Sequence, residues 1–251
     1  MNLAFFSRIF FSLAALAFAV MPTKATGAPA AVDIQFSICA PSTQVEQALN
    51  LRQQGAPIQV WLFDDASLSL FAKGLRLRLR EAKGGGELTL KAAEQDCAAL
   101  PSGLLPAGEG KCEYDMHGDK TAGALSLTRS IDQSAMQSLV AGRQALADEL
   151  SEAQKHFLQQ PGGIWPLPSG IRALGPTRVS NFRAAGKNYA VDVSTLPSGD
   201  SYIEISQEVA QADAPPVRDK LVAEMQESGV PLCADQSAQA VNKLRKLLAQ
   251  Q

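Results

Sequence analysis

The stretch from Gly74 to Lys91, GLRLRLREAKGGGELTLK, limits the possible folds more than any other part of the chain. Arg76, Arg78 and Arg80 alternate with Leu75, Leu77 and Leu79. A glycine run follows, and then Glu87, Thr89 and Lys91 alternate with Leu88 and Leu90. Period-two alternation on both sides of a glycine turn predicts a β-hairpin with one leucine face and one charged face. The charged face looks either into water or inward at an anion. Register bears on which. With Arg78 opposite Thr89, Arg76 meets Lys91, a like-charge pair that destabilises a ladder unless an anion bridges it. A two-residue shift pairs Arg78 with Glu87 instead. The sequence leaves both registers open.

The same alternation recurs along the chain. Val32, Ile34, Phe36 and Ile38 point one way while Asp33, Gln35 and Ser37 point the other. Further strands are expected at 58–63, 111–117 (with Lys111, Glu113, Asp115 and His117 on one face), through GALSLT, and around 177–184, 187–194 and 201–209. A helix is expected over 43–54, with Thr43 and Glu46 as a capping box and Gly55 as its stop. Asp64 or Asp65 caps a helical turn before Gly74. Helix is also expected from Asp132 to about Gln160, and two helices end the chain, one opened by Pro215–Pro216 and one capped by Asp235. Those last two need only a core-packing role. Strands with polar faces of mixed charge fit either a sheet wetted on one side or a barrel with a polar lumen.

The chain has 251 residues and is 46% hydrophobic and 19% charged, enough to bury a core. Residues 1–30 read as a secretory signal peptide: Arg8, an apolar run, then the small residues of TKATGAPAA. The rest, 31–251, reads as a single domain. Without Arg8 and Lys24 the formal charge moves from −2 to −4, so no specific nucleic-acid partner is expected. No later segment is apolar for long enough to span a bilayer, so no stable membrane insertion is expected after signal cleavage. Four cysteines in an exported chain favour two disulfides. The expected pairs are Cys97–Cys112, close in sequence, and Cys39–Cys233, tying the first strand to the C-terminal region. The expected location is secreted or periplasmic.

Arginine on alternate strand positions suits phosphate, because its planar fork makes bidentate contacts. Carboxylates nearby could hold a divalent metal that bridges phosphate oxygens. The acidic candidates are Asp33, Glu113, Asp115, Asp192 and Glu204. The basic ones are Arg76, Arg78, Arg80, Lys91, Lys111 and Arg183. No G-x-S-x-G, S-x-x-K, HExxH or P-loop pattern occurs. His117 and His156 lie in different elements and read as structural or surface residues.

The run VWLFDDASLSLFAKGLRLRLREAKGGGELTLK resembles the central signature of the CYTH superfamily, the triphosphate tunnel metalloenzymes. Phe63-Asp64-Asp65, Leu75-Arg76-Leu77-Arg78 and Thr89-Leu90-Lys91 stand where that family has FDT, LRIR and TLK. Lys111, Glu113 and Asp115 loosely match its R-x-E-x-E. Arg183, Asp192 and Glu204 match its second-half pattern in order. The resemblance implies an α+β fold, an antiparallel eight-stranded closed or nearly closed β-barrel forming a tunnel, with helices packed outside. It implies binding of a phosphate-rich small anion such as a triphosphate or polyphosphate by Arg76, Arg78, Lys91, Lys111 and Arg183. It further implies Mg or Mn held by Asp33, Glu113, Asp115, Asp192 and Glu204. One departure stands out. The family's first-strand E-x-E-x-K is Asp33-x-Gln35-x-Ser37 here, which implies that hydrolysis is weak or lost. An active metal-dependent triphosphatase and a structural or protein-interaction module are the alternatives.

Overall fold

The structure, a computed structural model, describes residues 31–100, 105–106, 108–236 and 238–250. The segment read as a signal peptide lies outside the described residues. Ten strands form one sheet: β1 (Ala31–Ile38), β2 (Leu51–Gln53), β3 (Ile58–Asp64), β4 (Leu75–Ala82), β5 (Gly85–Ala92), β6 (Gly110–His117), β7 (Lys120–Asp132), β8 (Arg172–Ala184), β9 (Ala190–Thr195) and β10 (Ser201–Ala210). Their order is β2-β8-β3-β4-β5-β7-β6-β1-β10-β9, and β9 returns to pair with β8. The sheet therefore closes into a nine-stranded barrel, with β2 appended to the end of β8. All described pairings are antiparallel except β1 with β6. The α+β barrel expected from the sequence is present, with nine strands and one parallel pair in place of eight antiparallel strands.

Alternation explains how the barrel closes. The leucines of β4, β5 and β7 turn outward and bury against α3 (Gln133–Val140), α4 (Leu146–Glu149) and α5 (Glu152–Gln159). On the other side, Val32, Ile34, Phe36 and Ile38 pack with Val191, Val193, Ile203 and Ile205. There they meet α1 (Ser42–Ala48) and α6 (Ala214–Glu227). Because side chains alternate along a strand, the charged residues between these apolar ones face the barrel interior. Between β4 and β5 the turn falls at Lys83–Gly84, where Gly84 takes a left-handed φ of 82° that favours glycine. Gly123 is needed for a close approach: a Cβ there would stand 2.0 Å from the Gln95 carbonyl oxygen.

Helix boundaries depart from the sequence reading in two places. The helix expected over 43–54 ends at Ala48, because Asn50 is left-handed with φ 48°, and Leu51–Gln53 join β8 as β2. The helix expected from Asp132 to Gln160 is three pieces, broken at Gly142 (φ 66°) and restarted by a capping box at Ser151 and Gln154. Asp64 accepts from the Leu70 and Phe71 amides to open α2 (Ser69–Ala72), as expected. Pro residues open α6, and Asp235 accepts from the Ala238 amide to open α7 (Ala238–Leu248). No helix among the described residues is long and apolar enough to cross a membrane. Both expected disulfides are formed, Cys39–Cys233 with S–S 2.04 Å and Cys97–Cys112 with 2.02 Å.

One side chain ties the outer helices to the barrel. Gln154, fully buried, closes the α5 capping box through its oxygen. Its amide donates to the carbonyls of Leu88, at 3.0 Å, and Leu127, at 2.9 Å. Replacing Gln154 with alanine removes all three bonds inside an apolar shell and should lower the unfolding free energy by about 1–3 kcal/mol. The measurement is the urea midpoint, expected to fall with the slope unchanged. An unchanged midpoint would mean that this tie carries no stability.

Candidate functional site

The β4–β5 register is the one that sets Arg76 opposite Lys91, Arg78 opposite Thr89 and Arg80 opposite Glu87. The two members of the like-charge pair turn to different internal partners. Arg76 folds back over the Phe71 ring, 3.6 Å from its centroid, and donates to the Leu75 carbonyl at 2.8 Å. Burial lowers its pKa to about 10. Lys91 reaches over the intervening strand β7 to Asp115 on β6, with Nζ 2.6 Å from Oδ2. Arg80 pairs with Glu87 at 2.7 Å.

Arg78 lies between them and has no hydrogen bond or ion pair with any described residue. Its side chain is exposed to solvent. Nearby protein removes part of its hydration and pulls its pKa down; Arg80 adds to the shift, while Glu87, Glu204 and Asp192 oppose it. Opposite it on β5, the Thr89 hydroxyl lies 2.9 Å from that of Thr128 on β7. Arg78 is therefore a cation held among hydroxyls and distant carboxylates.

The acids form two groups on the far wall. Glu204 on β10 stands in register with Asp192 on β9, and the Asn181 amide donates to Asp192 at 2.7 Å. Enclosure, then the neighbouring Asp192, pushes the Glu204 carboxyl up to about 7. Asp33 on β1 is in register with Asp115 on β6. Gln35 donates its amide to Asp33 at 2.6 Å. Burial raises the Asp33 pKa; the Gln35 bond works against the shift, and Asp115 adds to it. Asp115 is buried, and its Oδ1 has no hydrogen-bond partner. His117, two residues along from Asp115, has its pKa lowered by burial.

Lys111 pairs with Glu113 at 2.9 Å and is well exposed. Arg183 is exposed near the end of β8, opposite Ala190 on one side and Arg52 of β2 on the other. The expected site residues thus separate. Arg78, Lys91, Asp33, Asp115, Asp192 and Glu204 share the interior. Arg76 is turned onto Phe71, Lys111 and Glu113 satisfy each other, and Arg183 stands apart beside Arg52.

The fold of a metal-using tunnel raises the question of whether these acids suit a divalent ion. They do not. No three His, Cys, Asp or Glu side chains among the described residues are placed to share one ion. Lys91 already sits on Asp115, and an amide occupies the position on β1 next to Asp33. A divalent cation favours several oxygen ligands around one point; here Gln35, Lys91 and Asn181 each hold an oxygen of Asp33, Asp115 and Asp192, while Asp115 Oδ1 has no partner.

Sequence reasoning missed one lumen residue, Lys243 of α7. This helix turns Leu244 and Leu247 into a small apolar cluster with Leu174, Leu196, Leu62, Phe71 and Tyr202 at one end of the tunnel. Lys243 beside them is enclosed, which lowers its ammonium pKa; Glu204 and Asp192 oppose that shift and Arg78 adds to it. The helix packs at one end of the barrel and brings a second cation near Arg78. The only signal in the sequence was AQAVNKLRKLL, an amphipathic pattern that does not say which helix face meets the tunnel.

No family model matches the sequence, and no curated protein matches it. Solved structures do match. One is a candidate adenylyl cyclase from Hippeastrum in which a triphosphatase activity dominates, with TM-score 0.54 and 16% identity over 84% of this chain and 94% of that one. Another is a candidate adenylate cyclase from Bacillus halodurans, with TM-score 0.53 and 13% identity over 82% of this chain and 94% of that one. At these identities the likeness is one of fold, and the chain has the CYTH-like fold, a closed β-barrel tunnel.

Proposed function

We propose that this chain is an exported tunnel protein that binds a triphosphate- or polyphosphate-type anion and has little or no hydrolytic activity. The observation that carries the reading is Arg78, an arginine on the inner face of the barrel that solvent reaches and that has no partner among the described residues. Such a cation is available to an incoming anion without first breaking an internal pair. Its fork fits two oxygens of a phosphate, Lys243 supplies a second positive charge, and the Thr89 and Thr128 hydroxyls can donate to the same anion. Likeness of fold to the Hippeastrum protein, whose dominant activity is a triphosphatase, supports a phosphate-chain ligand. The two disulfides and the apolar N-terminal run support export.

Loss of hydrolysis follows from the carboxylates. Phosphoryl transfer in a metal-dependent site needs ions that bridge phosphate oxygens and orient the attacking water. With Asp115 engaged by Lys91 and Asp33 by Gln35, the walls hold an anion but do not present a cation-binding set. The lumen is nearly charge-balanced: Arg78, Lys91 and Lys243 face Asp33, Asp115, Asp192 and Glu204. With the Glu204 carboxyl held near 7, this acid is partly neutral at neutral pH and opposes an incoming anion less than a normal glutamate would.

Two measurements test the reading. In isothermal titration with tripolyphosphate and no added metal, the wild type should bind. Arg78→Ala should bind at least about tenfold more weakly, the scale of one charge-assisted contact. Lys220→Ala, on the outer helix α6, should bind within about twofold of wild type on the same scale. EDTA should change nothing, and Mg²⁺ or Mn²⁺ should not release phosphate above the uncatalysed rate. Failure of the wild type to bind, or equal binding by Arg78→Ala, overturns the proposal. The second measurement is pH dependence. Glu204 gains its negative charge as pH rises through about 7, so wild-type affinity should fall across that range relative to Glu204→Gln. Below about pH 6 the two proteins should converge, since Glu204 is then mostly protonated. Parallel curves from pH 5 to 8 would remove Glu204 from the binding site.

A further inference from the structure

The stopper at the closed mouth is held in an unusual way. The segment before α7 docks on the end of β1: the Cys39 amide donates to the Pro231 carbonyl at 2.9 Å, and the Cys233 amide donates to the Ser37 carbonyl at 2.9 Å. Gln236 accepts from the Ser37 amide and donates to the Ser37 carbonyl. The Cys39–Cys233 bond joins the two strands at this point and closes a loop of 194 residues. Beyond the tether, α7 is held chiefly by Leu244 and Leu247 in the small cluster at the tunnel end, and at its outer edge by the Lys246–Asp200 pair. An eleven-residue helix is marginal in water without tertiary support.

We propose that α7 is a stopper latched by the Cys39–Cys233 disulfide. With the bond formed, the tunnel is a blind socket entered from the opposite mouth. With the bond reduced, α7 leaves and the tunnel opens at both ends.

The latch is accessible to a reductant. Cys39 is exposed while Cys233 is buried. A cleft of about 140 Å³ opens beside Cys39, lined by Ser37, Ile38, Ser201, Tyr202 and Gln239. The chemistry is thiol–disulfide exchange with a dithiol reductant. Its thiolate attacks the Cys39 sulfur and the Cys39–Cys233 bond breaks, forming a mixed disulfide and freeing Cys233. The second thiol of the reductant then displaces Cys39. Two electrons and two protons pass to the protein, which holds two thiols, and the reductant leaves as its own disulfide. Cys97–Cys112 is less open to this attack, since neither of its residues is exposed.

Opening matters for the choice of ligand. While α7 is seated, its leucines block the lumen at one end and Lys243 stands beside Arg78, so a ligand must end inside the tunnel. Once α7 is out, an anionic chain can pass through both mouths. The latch therefore selects between a terminal phosphate group held in a socket and a longer phosphate chain threaded through. This consequence rests on the anion-binding reading above, whereas the movement of α7 does not.

The test is hydrogen–deuterium exchange by mass spectrometry on the full chain, before and after mild reduction with dithiothreitol. Alkylation identifies which cysteines have been freed. Cys39 and Cys233 should be alkylated first. Amides of 238–250 should then exchange at least about tenfold faster, as expected for a locally released element, while β4 and β5 stay protected. The Cys39→Ser/Cys233→Ser double variant should show the same pattern without reductant; if it does not fold, the reduced wild type decides. Unchanged exchange in 238–250 overturns the latch, and so does equal acceleration of β4 and β5, which would make the bond a general staple. A second arm compares long-chain polyphosphate with tripolyphosphate by stopped flow. Reduction should speed association of the long chain several-fold more than that of tripolyphosphate. Equal rates in both redox states overturn the gating role. If α7 is released but neither anion binds in either state, the latch stands and the anion-binding reading fails.

Discussion

Closing a sheet whose strands alternate leucine with charge leaves one arrangement open to it. The apolar sides of β4, β5 and β7, and of β1, β8, β9 and β10, find helices to bury against. Every charged side chain between them is then forced into a single narrow volume. In an open sheet such a face would be wetted and each charge screened. Inside a barrel the charges must satisfy one another, and most do. Lys91 goes to Asp115, Gln35 to Asp33 and Asn181 to Asp192, while Arg76 goes to the Phe71 ring. Arg78 is the arginine left without such a partner among the described residues.

Strand faces were legible from the sequence because period-two alternation needs only neighbouring residues. Leu75 to Arg80 and Val32 to Ile38 announce both their pleat and which side is buried. Register was not legible in the same way. The alternation within 74–91 does not choose between Arg78 opposite Thr89 and Arg78 opposite Glu87; the turn position at Lys83–Gly84 does, together with β7 on the far side of β5. Short elements were the other difficulty. Leu51–Gln53 is three residues long, continues a helical-looking pattern and becomes strand only because β8 offers an edge. The break near Gly142 divides a helical pattern whose outer face gives no sign of it.

The interior acids and bases were legible for the same reason as the strands, since each sits on an alternating wall. Lys243 was not. Along α7, Leu244, Leu247 and Leu248 mark an apolar face, and a lysine next to such a face normally extends its stem over it and leaves its head in water. Here that head enters the tunnel beside Glu204. The difference is made by the Cys39–Cys233 tether and by Gln236, which set where the helix starts. Both are contacts nearly two hundred residues apart in sequence, and no local pattern encodes them.

Strand β1 holds its interior acid with a donor from its own strand. Two carboxylates at alternate positions of one strand repel unless a cation lies between them. At Asp33 and Gln35 the second position is an amide, and its N–H group donates to the carboxylate of the first at 2.6 Å. The strand thereby satisfies internally what an ion would otherwise neutralise. Asp115 in the neighbouring strand is treated likewise, with Lys91 on one oxygen. Each replacement removes a reason for a divalent ion to enter and leaves the opposite wall unchanged. Arg78 is not needed to balance β1, because Lys91 and Gln35 already do so.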